Sequence, residues 1–135
     1  QLVLGAQGRA GELGYYLESS DVEKGEINKL GQQGILEKKC SGSALDQIVG
    51  SAEALFTAYS RGDASVIPVI DKFVRDFSVA IANTISLLNP EKVVIGGGVS
   101  DSMGSVIQRI REEVGSLRQF RRIFVWQTWE EKQEL

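Results

Sequence analysis

The chain has 135 residues, 42% of them hydrophobic, with a formal net charge of −3, one cysteine and no histidine. A chain of this length forms one globular unit, or a large piece of one, and buries roughly two-thirds of its unfolded surface without a disulfide or a metal. The lone Cys40 excludes an internal disulfide and a structural Cys/His zinc site, no apolar run reaches membrane-spanning length, and residues 1–20 lack a secretory leader's basic-then-apolar order. A cytoplasmic setting is therefore expected, with no membrane association. Basic residues are scattered until Arg118, Arg121 and Arg122, so no stripe for nucleic-acid phosphates is encoded through this region.

In chain order, Gln1-Leu2-Val3-Leu4 suits the tail of a strand entering a loop with glycine at 5, 8, 11 and 14. Residues 18–34 are polar, contain Gly25, Gly31 and Gly34, and predict an exposed connection. From Ser43 the apolar positions Leu45, Ile48, Val49, Ala52, Leu55, Phe56 and Tyr59 fall on one helical face. One helix is expected there, capped by Ser43, favoured by Asp46 near its N-terminus and closed by Gly62. A longer helix carries Val66, Ile70, Phe73, Phe77, Ala80, Ile81, Ile85 and Leu88, takes Pro68 in its first turn and stops at Asn89-Pro90. Lys92-Val93-Val94-Ile95 is a short β-branched run that predicts a buried strand ending in Gly96-Gly97-Gly98. Met103, Ile107, Ile110, Val114 and Leu117 mark a third helix, with Asp101 or Ser102 near its start. Phe120, Ile123, Phe124, Val125, Trp126 and Trp129 suit a strand, and the charged residues from Trp129 to Leu135 a solvated end. Helix, helix, strand, glycine turn and helix together indicate an α/β fold.

Three short stretches carry possible chemistry. In Gly8-Arg9-Ala10-Gly11-Glu12-Leu13-Gly14-Tyr15, glycines on both sides of Glu12 let backbone and ligand approach, and its carboxylate can accept hydrogen bonds from two vicinal hydroxyls of a sugar. Taken alone, the same residues read first as an ordinary surface turn with a solvated glutamate. In Gly31-Gln32-Gln33-Gly34-Ile35-Leu36-Glu37, Glu37 is either a ligand carboxylate or a first-turn glutamate favoured by the helix dipole. Val93-Val94-Ile95-Gly96-Gly97-Gly98-Val99-Ser100 lets a nucleotide lie against a strand end, or is simply a tight strand-to-helix turn. It lacks the lysine and serine of a phosphate loop, and its glycine spacing is not that of the dinucleotide fingerprint.

In order and spacing, these stretches resemble the motifs of the ROK family (repressors, open reading frames and kinases), over about residues 5–100: a GxxGxAGExGH-like segment, a GxxGCLE-like segment and a strand ending in three glycines. The resemblance implies an actin-like, ribonuclease H-like two-lobed α/β fold with sugar and ATP in the cleft between lobes. It places Glu12 and Glu37 at the sugar hydroxyls, with Tyr15 beside them, and Gly96, Gly97 and Gly98 beside the adenosine.

The departures from the family pattern are informative. Tyr15 stands where most members have a histidine that touches sugar and helps bind zinc, and Asn28, Lys29, Leu30 and Ile35 replace the cysteine cluster. No zinc is expected, whereas a phenol can still hydrogen-bond a hydroxyl. The family's N-terminal lobe, with its phosphate loop and catalytic aspartate, has no counterpart in residues 1–135, and residues 119–135 do not match the usual closing helix. The resemblance thus implies the C-terminal lobe of an ATP- and Mg²⁺-dependent hexose kinase, with no catalytic base of its own and inactive alone. The ligand-sensing half of a repressor and a non-catalytic dimerisation fragment are the alternatives. A homodimer is expected, because two long apolar helix faces exceed what one short strand covers.

Overall fold

A computed structural model describes residues 3–117 and the backbone of residues 124–126. Six α-helices lie in the described residues: α1 (Ser19–Glu23), α2 (Ile35–Cys40), α3 (Gly42–Val49), α4 (Ala52–Ser60), α5 (Ile67–Leu88) and α6 (Gly104–Leu117). Two short strands, β1 (Val93–Ile95) and β2 (Phe124–Trp126), pair in parallel, Val94 opposite Val125. β1, α6 and β2 therefore make a parallel crossover unit, the connection that parallel strands require.

The core lies where α4, α5 and α6 meet. Phe56, Phe73, Ile81, Ile85, Val106 and Ile110 are buried there, and the Phe73 ring meets Phe56 edge-on and stacks on Phe77. Helix α5 forms as its periodicity predicts, with Pro68 in the first turn and Asn89 ending it in the left-handed conformation at φ 46°. Arg109 on α6 ties the three helices at their rim, donating to Asp71 at 2.6 Å and to the Tyr59 hydroxyl at 3.0 Å.

Several sequence expectations change. The single helix expected from Ser43 to Gly62 is two, because Gly50 turns left-handed at φ 84° and Ser51 starts α4 by accepting from the Ala54 amide. Asp46 accepts from the Ala52 amide at 2.7 Å, so it caps the second helix rather than biasing the first. Ser41, not Ser43, caps α3. The connection 18–34 contains α1, whose Asp21 is only 2% exposed. β1 is not buried throughout: Ile95 is, but Val94 is 51% exposed because only one sheet face rests on the core. Val3 and Leu4 are exposed and not in a strand; Gln1 and Leu2, the basic residues 118, 121 and 122, the apolar positions 120, 123 and 129, and the solvated end lie outside the described residues.

Helices α4–α6 largely cover one another, and Leu87 and Leu88 at the end of α5 are exposed. Among the described residues no helix is long and apolar enough to cross a membrane.

Candidate functional site

The first two motifs are built against each other. Gly11, at φ 86°, turns the chain into a 3₁₀ turn over Leu13–Tyr15 and leaves Glu12 exposed at its entry. Gly34 starts α2, and its Cα lies so near the Gly14 carbonyl that a Cβ would fall on the carbonyl atoms. On the other side, a Cβ at Gly14 would sit 3.2 Å from the Glu37 Cβ. Two glycines thus let two backbones touch, and the contact seats half-buried Glu37 directly behind the Glu12 turn.

Polar bonds complete the junction. The Tyr15 hydroxyl donates to the Gln32 carbonyl at 2.6 Å, the Asn28 amide donates to the Tyr15 carbonyl at 2.5 Å, and the Asn28 side-chain oxygen accepts from the Ile35 amide at 2.9 Å. Asn83 on α5 donates to the Tyr16 hydroxyl, anchoring the turn to the helical body. Below, Lys39 on α2 pairs with Asp21 at 2.5 Å. Burial pushes the Asp21 carboxyl up, but the Lys39 hydrogen bond, the Glu18 amide and nearby lysine charge outweigh it and leave it below its usual value.

Glu12 and Tyr15 open onto one cleft of about 520 Å³, also lined by Arg9, Asn28, Lys29 and Gly31. An exposed carboxylate and a phenol oxygen around a cleft of this size can accept from several hydroxyls at once. Glu37 accepts from the Gly34 amide at 3.4 Å, a long bond that leaves most of its acceptor capacity unused.

The glycine turn after β1 lies apart from that cleft. Gly96 and Gly97 line a separate hollow of about 250 Å³ over Phe73, Phe77 and Met103, and Gly98 borders both this hollow and another of about 500 Å³. Gly97 takes φ 109°, and the Ser100 hydroxyl closes the turn onto the Gly97 carbonyl at 2.6 Å. Gly42, at the start of α3, meets Val99 so closely that a Cβ would lie 2.5 Å from the valine methyl. The 500 Å³ hollow lies between the first turns of α3 and α4 and carries the carboxylates of Asp46 and Glu53. The structure thus brings Glu12 and Tyr15 to one cleft, seats Glu37 against Gly14 behind that turn and outside the cleft lining, and sets Gly96–Gly98 on hollows of their own.

Burial, with Asp76 nearby, pushes the Cys40 thiol up to about 12, which keeps it protonated and a poor nucleophile. Among the described residues, no group of three or more histidine, cysteine, aspartate or glutamate side chains converges to hold a metal. Sequence reasoning named Asn28 only as a replacement for a cysteine and missed its bridging bonds, the Gly14–Gly34 approach and the Asp21–Lys39 pair. All three lie in or border the polar stretch assigned to an exposed connection, and no periodicity marks them.

The ROK family profile matches residues 1–126. This chain belongs to the ROK family. A glucokinase of Halalkalibacterium halodurans is 37% identical over 89 residues, 64% of this chain and 27% of that protein. Among solved structures, a ROK hexokinase from Thermus thermophilus superposes with a TM-score of 0.73 at 22% identity, covering 93% of this chain and 45% of the other. A ROK family transcriptional regulator, a homologue of the E. coli MLC protein, superposes at 0.70 with 25% identity, over 96% of this chain and 38% of the other. The chain therefore spans less than half the length of these relatives.

Proposed function

We propose that this chain is the sugar-holding part of a ROK carbohydrate kinase, which transfers the γ-phosphoryl group of Mg²⁺-ATP to a hexose or similar sugar. The observation that carries this reading is the junction of the first two motifs, where Glu12 and Tyr15 face one cleft and Glu37 stands behind it. Glu12 and Glu37 accept from sugar hydroxyls, and Tyr15 adds a neutral partner whose own proton is engaged by Gln32. Gly96, Gly97 and Gly98 form the adenosine side. Support comes from the carboxylates of Asp46 and Glu53 beside Gly98, which suit ribose hydroxyls and repel phosphates. The phosphates, Mg²⁺ and catalytic base then belong to a second lobe, in an actin-like arrangement that closes the two surfaces into one active site.

The single cysteine and the absence of imidazole support a cytoplasmic, zinc-free protein. Exposed Leu87 and Leu88 offer an apolar edge for a homodimer, which sedimentation at micromolar concentration tests.

Calorimetry with D-glucose and N-acetyl-D-glucosamine on the full-length protein tests the sugar assignment. Glu12→Gln keeps the shape and removes the charged acceptor, so binding falls by on the order of 1.5–3 kcal/mol. Unchanged affinity returns Glu12 to an ordinary surface turn. Residues 1–135 alone are expected not to phosphorylate either sugar in a coupled assay, and turnover that survives repurification would overturn the second-lobe reading.

The regulator superposition supports a second reading, in which the same cleft senses sugar for a transcriptional repressor. The sequence upstream separates the two: a phosphate loop with an aspartate marks the kinase, and a helix-turn-helix marks the repressor.

A further inference from the structure

Asn28 occupies an unusual position for a residue in a polar connection. Its side chain is half-buried, lines the cleft that holds Glu12 and Tyr15, and uses both ends of its carboxamide. The nitrogen donates to the Tyr15 carbonyl at 2.5 Å, three residues past Glu12. The oxygen accepts from the Ile35 amide at 2.9 Å, two residues before Glu37. A single planar group therefore bridges the backbone of the turn carrying one carboxylate to the first turn of the helix carrying the other.

The surroundings make that bridge consequential. Residues 3–12 are exposed and bury no apolar side chain, so packing does not position Glu12. The Ile35 amide is one of the first-turn donors that no carbonyl of its own helix can reach. Without the Asn28 oxygen this donor, on a buried residue, loses its partner. The Gly14–Gly34 approach allows the two backbones to touch but supplies no directional bond, and the Tyr15–Gln32 bond constrains only the ring end of the tyrosine. Asn83 ties the Tyr16 ring to α5, whereas the carboxamide joins the backbone of the turn directly to the first turn of α2.

We propose that Asn28 is a positioning residue of the cleft: its carboxamide clamps the Tyr15 turn to the start of α2 and so sets the spacing of Glu12 and Glu37 for a polyhydroxylated ligand. The ligand class rests on the sugar reading above, whereas the clamp stands on the hydrogen bonds alone. Asn28 does not touch the reacting atoms in this scheme. It acts through Glu12 and Glu37.

Hydrogen exchange and sugar titration on the full-length protein test the two parts separately. In Asn28→Ala, the Ile35 amide and residues 12–16 exchange about tenfold faster, while protection along α5 is unchanged. In Asn28→Asp, which keeps the acceptor and loses the donor, Ile35 stays protected and only residues 12–16 loosen; this variant also decides the matter if the alanine variant does not fold. D-glucose or N-acetyl-D-glucosamine affinity falls about tenfold in Asn28→Ala and less in Asn28→Asp, without loss of α5 protection. Exchange at Ile35 and residues 12–16 that is the same in all three proteins overturns the clamp. If the unsubstituted protein binds and Asn28→Ala binds equally well, the positioning role falls. If the unsubstituted protein binds neither sugar, the functional reading fails, and exchange alone upholds or overturns the clamp.

Discussion

Helices α4, α5 and α6 bury Phe56, Phe73, Ile81, Val106 and Ile110 against one another, whereas among residues 3–34 the buried positions are Asp21 and Gly34. The first region is held by apolar area, which is non-directional and tolerates small shifts of any one contact. The second is held by a buried ion pair, a few side-chain-to-backbone bonds and two glycines in van der Waals contact, each of which works only at one geometry. Stability is concentrated in the helical body and shape in the motif segment. Damage to each should therefore be read by a different instrument: unfolding for the first, ligand binding and local exchange for the second.

The largest effect is expected in the body. Phe73→Ala removes a ring packed on Phe56 and Phe77 and leaves a cavity, so denaturant unfolding should lose about 3–5 kcal/mol. A loss under about 1 kcal/mol would mean that the three-helix contact is not the main source of stability.

Gly34→Ala comes next and acts on the opposite side of the comparison. Its methyl falls on the Gly14 carbonyl, where neither backbone can yield without moving Glu12 or Glu37. Overpacking of this kind costs on the order of 3 kcal/mol locally. Exchange protection in residues 12–37 should collapse while α5 keeps its own, and a global loss of α5 protection would show that the two regions are one cooperative unit.

Asp21→Asn, at about 2 kcal/mol, removes a charge-assisted bond from a buried carboxylate. The pair also predicts a pH response. Because the folded carboxyl titrates below its ordinary 3.8, its contribution is complete above that value and is lost as pH falls through the lowered one. Burial pushes Lys39 down, but Asp21 and further carboxylates outweigh it and raise it above 10.5. Its contribution is therefore complete below 10.5 and is lost as pH rises through the higher value. Protection of α1 measured between pH 2 and 11 should form a plateau with losses at both ends, and a monotonic profile would separate the pair from α1 order.

The smallest effect has the opposite sign. Ser78, wholly buried on α5, has a hydroxyl with no hydrogen-bond partner among the described residues, so Ser78→Ala should raise stability by about 0.5–1 kcal/mol. A loss instead would indicate that the hydroxyl donates to a backbone carbonyl or a water in solution.

Much of the helical body was legible beforehand. The apolar spacing of Ile70, Phe73, Ile81 and Ile85, Pro68 at one end and Asn89-Pro90 at the other bound α5 correctly, because a 3.6-residue period and its stop signals are local properties of the chain. The order and spacing of the three motifs likewise placed the chain in its family, since both are carried by the sequence alone.

Other features required the tertiary structure. The Gly50-Ser51 break was hidden because Leu45, Ala52 and Phe56 keep helical spacing across it, and left-handed Gly50, the Ser51 cap and Asp46 reaching the Ala52 amide reveal two helices. Val94 has the composition of a buried residue and is exposed, because burial depends on what covers the sheet. Of the glycines, Gly14, Gly34 and Gly42 are confined by a neighbouring segment, which cannot be told from residue identity. Asn28 belongs with them: one carboxamide joining residues 15 and 35 is a contact between segments, and local periodicity carries no information about such contacts. The sequence determined the long helix α5, the strand before the three glycines and the family of the chain. Tertiary structure decided which polar groups meet, because a hydrogen bond depends on a few tenths of an ångström and on direction, and both are set only when distant segments are brought together.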